Sequence, residues 1–407
     1  MRRDSKRERV EEEVAVFGPD TIEQFMRERV RATIEAIVEE ELEAALGARR
    51  GARVGERRRG YRHGKRARTL TTSLGPTTLQ VPRARLEQPQ GGATEWHSRV
   101  LPRYQRRTGR VDEAILGVYL SGTNSRRLKG ALAPLLRGGP LSKDAVSRLV
   151  GRLKSDFEEW CQRDLSQEAI RYIMLDGWYP KVRLGRRRVR VPVLVTLGIK
   201  ADGQRIILGM RLAGQETTQA WQEVIEQLVA RGVGIPLLAI IDGNPGLQAA
   251  LRAQWPQLPI QRCTAHKLRN LLSRAPAHLR EEVAEDYRRM MYGKTREGVE
   301  SARRSFLKKW RLRCAVVAAS LEEAGDELFT FLSFPPSQWK GLRTTNALER
   351  INEEFRRRTK TQASLPNEDA VVLLLFGLLR SGQIRLRRFD GWQEMPSAPP
   401  ISERQAA

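Results

Sequence analysis

Cysteine is scarce in this 407-residue chain. Cys161, Cys263 and Cys314 are the only three, widely spaced, and one would be left over from any pairing. That excludes a disulfide framework and predicts a reducing compartment, the cytoplasm. Histidine is equally sparse, with four residues. Long apolar runs are missing too. The longest, "AVVLLLFGLL" at 370–379, is too short to span a bilayer and reads as a buried helix. "MRRDSKRERVEEEV" has no apolar segment, which predicts no secretory leader. Acidic residues are outnumbered, 48 against 73 Lys and Arg, for a formal net charge of +25. A chain this basic repels itself until it meets a polyanion, and nucleic acid is the leading partner.

What is present divides the chain into several units. Residues 1–50 form an N-terminal helical region. Ile22, Phe25, Met26, Val30, Ile34 and Ile37 recur at helical spacing over 19–46. This predicts either an oligomerisation helix or a solvated amphipathic one. Residues 51–110 hold a basic loop and hairpin. Eight cations fall within sixteen residues (53–68), with Tyr61 and His63 between them. Arg57, Arg58, Arg59, Arg62, Lys65 and Arg66 are the DNA-contacting candidates of this stretch. Alternation around Gly75-Pro76 predicts the hairpin that carries the loop. Residues 111–165 are helical. Over 121–152 the pattern is compatible with a helix-turn-helix, equally with any short helical hairpin, and places Arg148 on its second helix.

From 166 to 270 the pattern is three meandering strands, then helix, strand, helix, strand. It predicts a mixed α/β sheet with an antiparallel edge. Asp176 interrupts the first strand and Asp242 ends the fourth. If those strands are neighbours, the two carboxylates lie at one level. Paired hard oxygen ligands of this kind suit Mg²⁺. Either Asp-Gly alone is more simply a turn, as at Asp202. Residues 271–338 lose the strand signal and read as an all-α insertion. Trp310 and Trp339 within that region and just past it read as core, with base stacking the alternative. Residues 339–390 return as helices, and 391–407 read as a disordered tail. Glu349 is a third candidate acid. Asn346-x-x-Glu349 also has the spacing of a capping box, and Glu353 and Glu354 compete for the same role.

Three stretches, "MLDGWYPKVR", "IIDGNPGLQAAL…PIQRCTAHKLRN" and "TTNALERINEEFRRR", together with the basic "GYRHGKRART…VPRAR" block, resemble the mutator-type bacterial insertion-sequence transposases. The resemblance runs from about residue 20 to 385. It implies a ribonuclease-H-like core interrupted by a helical insertion. It implies a catalytic, metal-holding Asp-Asp-Glu triad at Asp176, Asp242 and Glu349, and two Mg²⁺ ions with Mn²⁺ as substitute. It further implies water attack that frees a 3′-hydroxyl, followed by joining of that hydroxyl to target DNA. The implied partners are double-stranded DNA, at the element's terminal inverted repeats and the target, and further copies of the chain. The family's Cys-x-x-His signature maps onto Cys263 and His266, placing them, with Arg269 and Asn270, beside the acids. A zinc site is disfavoured, because no second close Cys or His pair exists. Lys181, Arg350, Arg356, Arg357 and Arg358 flank the acids as candidate phosphate ligands, a solvated basic helix face being the alternative for the last four.

Overall fold

The computed structural model describes residues 19–52, 58–88, 90–120, 125–137, 141–184, 187–361, 367–382 and 384–395. Arg57 and most of the C-terminal tail therefore lie outside the described residues. The chain forms two compact units, residues 1–150 and 151–407.

In the first unit, helix α1 (Pro19–Leu46) lies on a sheet of β1 (Gly60–Thr72), β2 (Gly75–Glu87) and the short β3 (Ala93–Glu95). Val38, Leu42 and Leu46 of α1 pack against Leu70, Leu79 and Trp96 in a closed core. The apolar stripe was expected to run the length of this helix. Its N-terminal part, Ile22, Phe25 and Met26, is exposed. The antiparallel hairpin is longer than the alternation suggested, because the "loop" cations Arg62, Lys65, Arg66 and Arg68 belong to strand β1 itself. Helices α2 (Gly109–Leu120), α3 (Ser125–Ala131), α4 (Ala133–Leu136) and the start of α5 (Lys143–Gln162) follow. Ser142 caps α5, its hydroxyl accepting from Ala145 N–H at 3.2 Å. The Gly138-Gly139-Pro140 turn of the expected helix-turn-helix lies outside the described residues, as do residues 121–124.

The second unit is mixed α/β. β4 (Ile170–Trp178), β7 (Val193–Lys200), β8 (Arg205–Leu212), β9 (Leu238–Ile241) and β10 (Ile260–Arg262) form one sheet in the order β10-β9-β4-β7-β8. The first three are parallel and the β4-β7-β8 side antiparallel. Two of the expected strands break. Pro180 and Pro192 lack the N–H that a ladder needs. A separate basic ribbon, β5 (Lys181–Leu184) and β6 (Arg187–Arg190), therefore stands between β4 and β7. Helix α6 (Thr218–Ala230) buries Trp221, Val224, Ile225 and Leu228 on the sheet, and α7 (Pro245–Gln254) adds Leu247, Ala250 and Leu251.

The helices α8 (Thr264–Arg274), α9 (Arg280–Met291), α10 (Arg296–Arg313), α11 (Ala315–Glu323) and the short α12 (Trp339–Leu342) make up the insertion and its exit. Fully buried Gln261 anchors them to edge strand β10, donating to Leu328 C=O at 2.9 Å and accepting from Phe331 N–H at 2.7 Å. Trp310 is wholly buried and donates to Asp286, while Trp339 donates to Phe334 C=O, so both are core residues. The chain returns in α13 (Asn346–Thr361), which buries Leu348, Ile351 and Phe355, and ends in the apolar α14 (Asp369–Arg380). Phe355 meets Trp178 edge-on at 4.4 Å, laying α13 over the end of β4. Residues 391–395, expected in the disordered tail, are docked: Gly391 C=O accepts from Gln338 and Ser337 donates to Glu394. Among the described residues no helix is long and apolar enough to cross a membrane.

Candidate active site

Parallel pairing of β4 with β9 fixes the centre of the site. Tyr172 opposes Leu238 and Leu175 opposes Ile241. The next residue on each strand is an aspartate, so Asp176 and Asp242 leave neighbouring strands at one level. Register alone does this, since a slip of one residue would send one carboxylate to the other face. Gly243 follows Asp242 with φ +93, a left-handed turn that a side chain would strain. That turn lets Asn244 N–H donate back to Asp242 Oδ1 at 2.9 Å, while Asn244 caps α7.

Asp176 is 7% exposed. Burial, then the charge of Asp242, pushes its carboxyl up to about 7, with Glu216 and Glu349 adding to the effect and His266 opposing it. Glu349 arrives on α13, its N–H bonded to Thr345 C=O, so Thr345 and not Asn346 holds the cap position. Glu349 thus lies one residue past the capping-box position, and its carboxylate instead accepts from Arg269 at 2.6 Å, with His266 Nε2 at 4.0 Å. The two other acids of this helix are placed differently. Glu354 pairs with Arg357 and Arg358, and Glu353 is exposed.

Cys263 and His266 are not on a strand. β10 stops at Arg262, Cys263 caps α8, and His266 sits in that helix's first turn. The helix start at Cys263 has no Ser, Thr or Asp cap to mark it. Placed there, the two side chains interact. Burial alone would raise the Cys263 thiol, yet His266 beside it brings it below its usual value. The same contact, then the charges of Cys263 and Asp176, raises His266 to about 8. Asn270 is exposed on the same helix, its carbonyl accepting from Ser273.

A fourth acid, Glu216, carries no local sequence signal. It precedes Thr217, the N-cap of α6. Its Oε2 accepts from Tyr179 at 2.6 Å and its Oε1 from Trp221 Nε1 at 3.1 Å. A Cβ at Gly177 would collide with this carboxylate, so a side chain there would displace Glu216 from its present position. Tyr179 is raised by burial and by that hydrogen bond. The Asp-Gly pair, read as a turn signal, is a strand with a packing gap. Only the gap's other wall, Glu216, reveals its use.

The donors are hard oxygens around a buried carboxyl, which fits a divalent cation of the Mg²⁺ type rather than zinc. Among the described residues no three His, Cys, Asp or Glu side chains converge closely enough to hold an ion. Glu349 is paired with Arg269.

The basic candidates separate. Arg58, Arg59, Lys65, Arg66 and Arg148 are exposed. Arg66 and Arg148, with Arg103 and Arg106, line a groove of about 830 Å³ in the first unit. Arg62 is instead held by Glu39 and Glu43 of α1. In the second unit Lys181 and Arg350 are exposed, Arg356 is also exposed, and Arg357 and Arg358 are tied to Glu354.

The family described as "Transposase, Mutator family" matches residues 3–385. The chain belongs to the Mutator family of transposases. This member is 35% identical over 328 residues to the transposase for insertion sequence element IS406 of Burkholderia multivorans, covering 79% of this chain and 81% of that one. It is 30% identical over 353 residues to the ISRM5 transposase of Rhizobium meliloti, 86% of each chain. It is also 30% identical over 326 residues to the transposase for IS256 in transposon Tn4001 of Staphylococcus aureus, 79% of this chain and 81% of that one.

Proposed function

We propose that this Mutator-family transposase binds the ends of its insertion element, cleaves DNA strands there and joins the freed ends to target DNA by in-line phosphoryl transfer. We read the second unit as a ribonuclease-H-like core with Asp176, Asp242 and Glu349 as its triad. One observation carries this reading. Two aspartates stand level on adjacent parallel strands, one of them buried and raised to about 7, with Glu349 beside them. A buried carboxyl beside others is unfavourable until a cation joins it.

Asp176, Asp242 and Glu349 would hold Mg²⁺, with Mn²⁺ as substitute. Two such ions, when bound, activate the attacking oxygen and stabilise the leaving one. The chain's own residues do the rest. Glu349 would leave its ion pair with Arg269 to face the aspartates, and Arg269 would then be available to a DNA phosphate. His266, cationic at neutral pH, restrains the charge of Asp176 and Glu349 before metal arrives. Glu216 fixes the phenol of Tyr179, 41% exposed at the mouth of the site, by a single hydrogen bond. No serine or tyrosine nucleophile is required, because a water and then a DNA 3′-hydroxyl attack the phosphorus directly.

Double-stranded DNA, as terminal repeats and as target, is the proposed partner. The exposed Arg58, Arg59, Lys65, Arg66 and Arg148 serve as phosphate ligands in the first unit, and Lys181, Arg350 and Arg356 in the second. We place the protein in the cytoplasm on the nucleoid, acting as a dimer or larger assembly on DNA. The test is strand transfer by the purified full-length protein with Mg²⁺ on DNA carrying its element's ends. Cleaved and joined products are expected from wild type and neither from Asp242→Ala. Joining that survives Asp242→Ala would sink the triad, and cleavage without joining would favour a nuclease.

A further inference from the structure

Cys263 belongs to neither the acids nor the core in the ordinary sense. It is 1% exposed, yet both its backbone N–H and its sulfur are engaged in hydrogen bonds. Its N–H donates to Ile241 C=O at 2.6 Å, so it pairs with the residue immediately before Asp242. Its sulfur accepts from Thr345 N–H at 3.4 Å and from the Thr345 hydroxyl at 3.5 Å. Thr345 is wholly buried, and its C=O in turn accepts from Leu348 N–H at 2.9 Å and Glu349 N–H at 3.2 Å. The neighbouring Thr264 N–H donates to Arg343 C=O at 2.9 Å and reinforces the same join.

These contacts form an unbroken line. From Asp242 it passes through the Ile241 carbonyl to Cys263, through the sulfur to Thr345, and through the Thr345 carbonyl to the backbone of Glu349. Two acids more than a hundred positions apart in the chain are thus joined through two residues, Cys263 and Thr345, with one hydrogen bond at each end and two between them. Apolar packing would not need an acceptor at position 263. Without one, the buried Thr345 N–H is orphaned, which a folded interior disfavours. The cheapest relief is for the 343–345 turn to move, and Glu349 moves with it. His266, one helical turn along, lies against the same sulfur and 4.0 Å from the Glu349 carboxylate, so the side-chain end of Glu349 is confined from the same place.

We propose that Cys263 is a positioning residue that sets the first turn of α13, and so Glu349, relative to Asp242, acting through Thr345. This rests on the triad reading above. The experiment uses the full-length protein with Cys263→Ser, Cys263→Ala and Cys263→Val. It measures single-turnover cleavage of end DNA, the KM for that DNA, and amide hydrogen exchange over residues 344–352. Serine keeps an acceptor, while alanine and valine do not. Cleavage is expected to fall 10- to 100-fold for alanine and valine at unchanged KM, with faster exchange confined to 344–352. Serine is expected to stay within a few-fold of wild type. Wild-type cleavage by a folded alanine or valine variant overturns the proposal. So does exchange that rises evenly across residues 151–395. Should alanine and valine fail to fold, serine decides alone: a folded serine variant that does not cleave overturns the hydrogen-bond account. Glu349→Gln runs alongside. If that variant cleaves normally the triad reading has failed, while exchange at 344–352 still reports on the latch.

Discussion

Asp176 ties the stability of the metal-free protein to pH. Its folded value, about 7, lies above the ordinary aspartate value near 3.8. Between those limits the folded chain keeps a proton that the unfolded chain has lost, so stability falls as pH rises across the window. His266, raised to about 8, acts over the next interval, and its contribution is lost as pH passes through 8. The melting temperature of metal-free protein is therefore expected to decline from pH 4.5 to 7.5. Asp176→Asn should flatten that decline. Millimolar Mg²⁺ at pH 7.5 should raise the wild-type melting temperature and leave the Asn variant unmoved. A rising wild-type profile would contradict the burial argument. Glu216 offers a second check. Both its oxygens accept hydrogen bonds, and an amide can supply only one acceptor. Glu216→Gln should slow cleavage about tenfold, a single charged hydrogen bond's worth, with DNA affinity little changed. Equal loss of both would mark Glu216 as a DNA-facing group instead.

At the scale of elements, the insertion is held to the sheet by charges as well as by Gln261. Arg262 and Lys267 both donate to Glu323, at 2.8 and 2.7 Å, and Lys267 is 3% exposed. Burial draws the Lys267 amine down, while the two cations hold Glu323 at about 2. Glu323→Ala leaves a buried ammonium without a partner. It should cost roughly 2 kcal/mol in a urea titration, a value discounted because Glu323 itself is largely exposed. Less than half that would mean Lys267 reaches solvent by another path. Elements of this unit with strong periodicity were legible: the β7-β8 meander, α6, and the wholly apolar β9. The sites of failure are physical. Pro180 and Pro192 broke strands whose side chains still alternate. Cys263 began a helix without a polar cap. The cations of 60–68 lie on a strand whose partner, β2, supplies the order that local sequence does not. Asp176 and Asp242 could be paired from sequence because parallel strands bring their ends level. Glu216 could not, because its meaning depends on an absent side chain at Gly177.

For the whole molecule, charge is the dominant fact. A formal +25 implies that DNA affinity is largely counterion release. The logarithm of the association constant should fall steeply with the logarithm of salt. Arg66→Ala and Arg148→Ala, both at the groove of the first unit, should each lower the slope by about one and weaken all sequences alike. A loss confined to terminal-repeat DNA would instead make them base readers. Arg62→Ala should leave the slope unchanged and lower stability, since that cation serves α1. The sequence changes from basic and helical to strand-rich near residue 166, whereas the two units divide at residue 150. That position lies within α5, and a continuous helix carries no composition break.

The order of the three acids along the chain also has a consequence in time. A ribosome delivers Asp176 and Asp242 with the sheet that pairs them, but Glu349 comes only after the whole helical insertion, and its helix must be complete before it can dock. Until then the growing polypeptide carries the proposed DNA-gripping residues of its first unit without a finished cutting centre. If the proposed triad and phosphate ligands hold, a chain interrupted before residue 349 would keep the same condition permanently: able to grip DNA and unable to cut it.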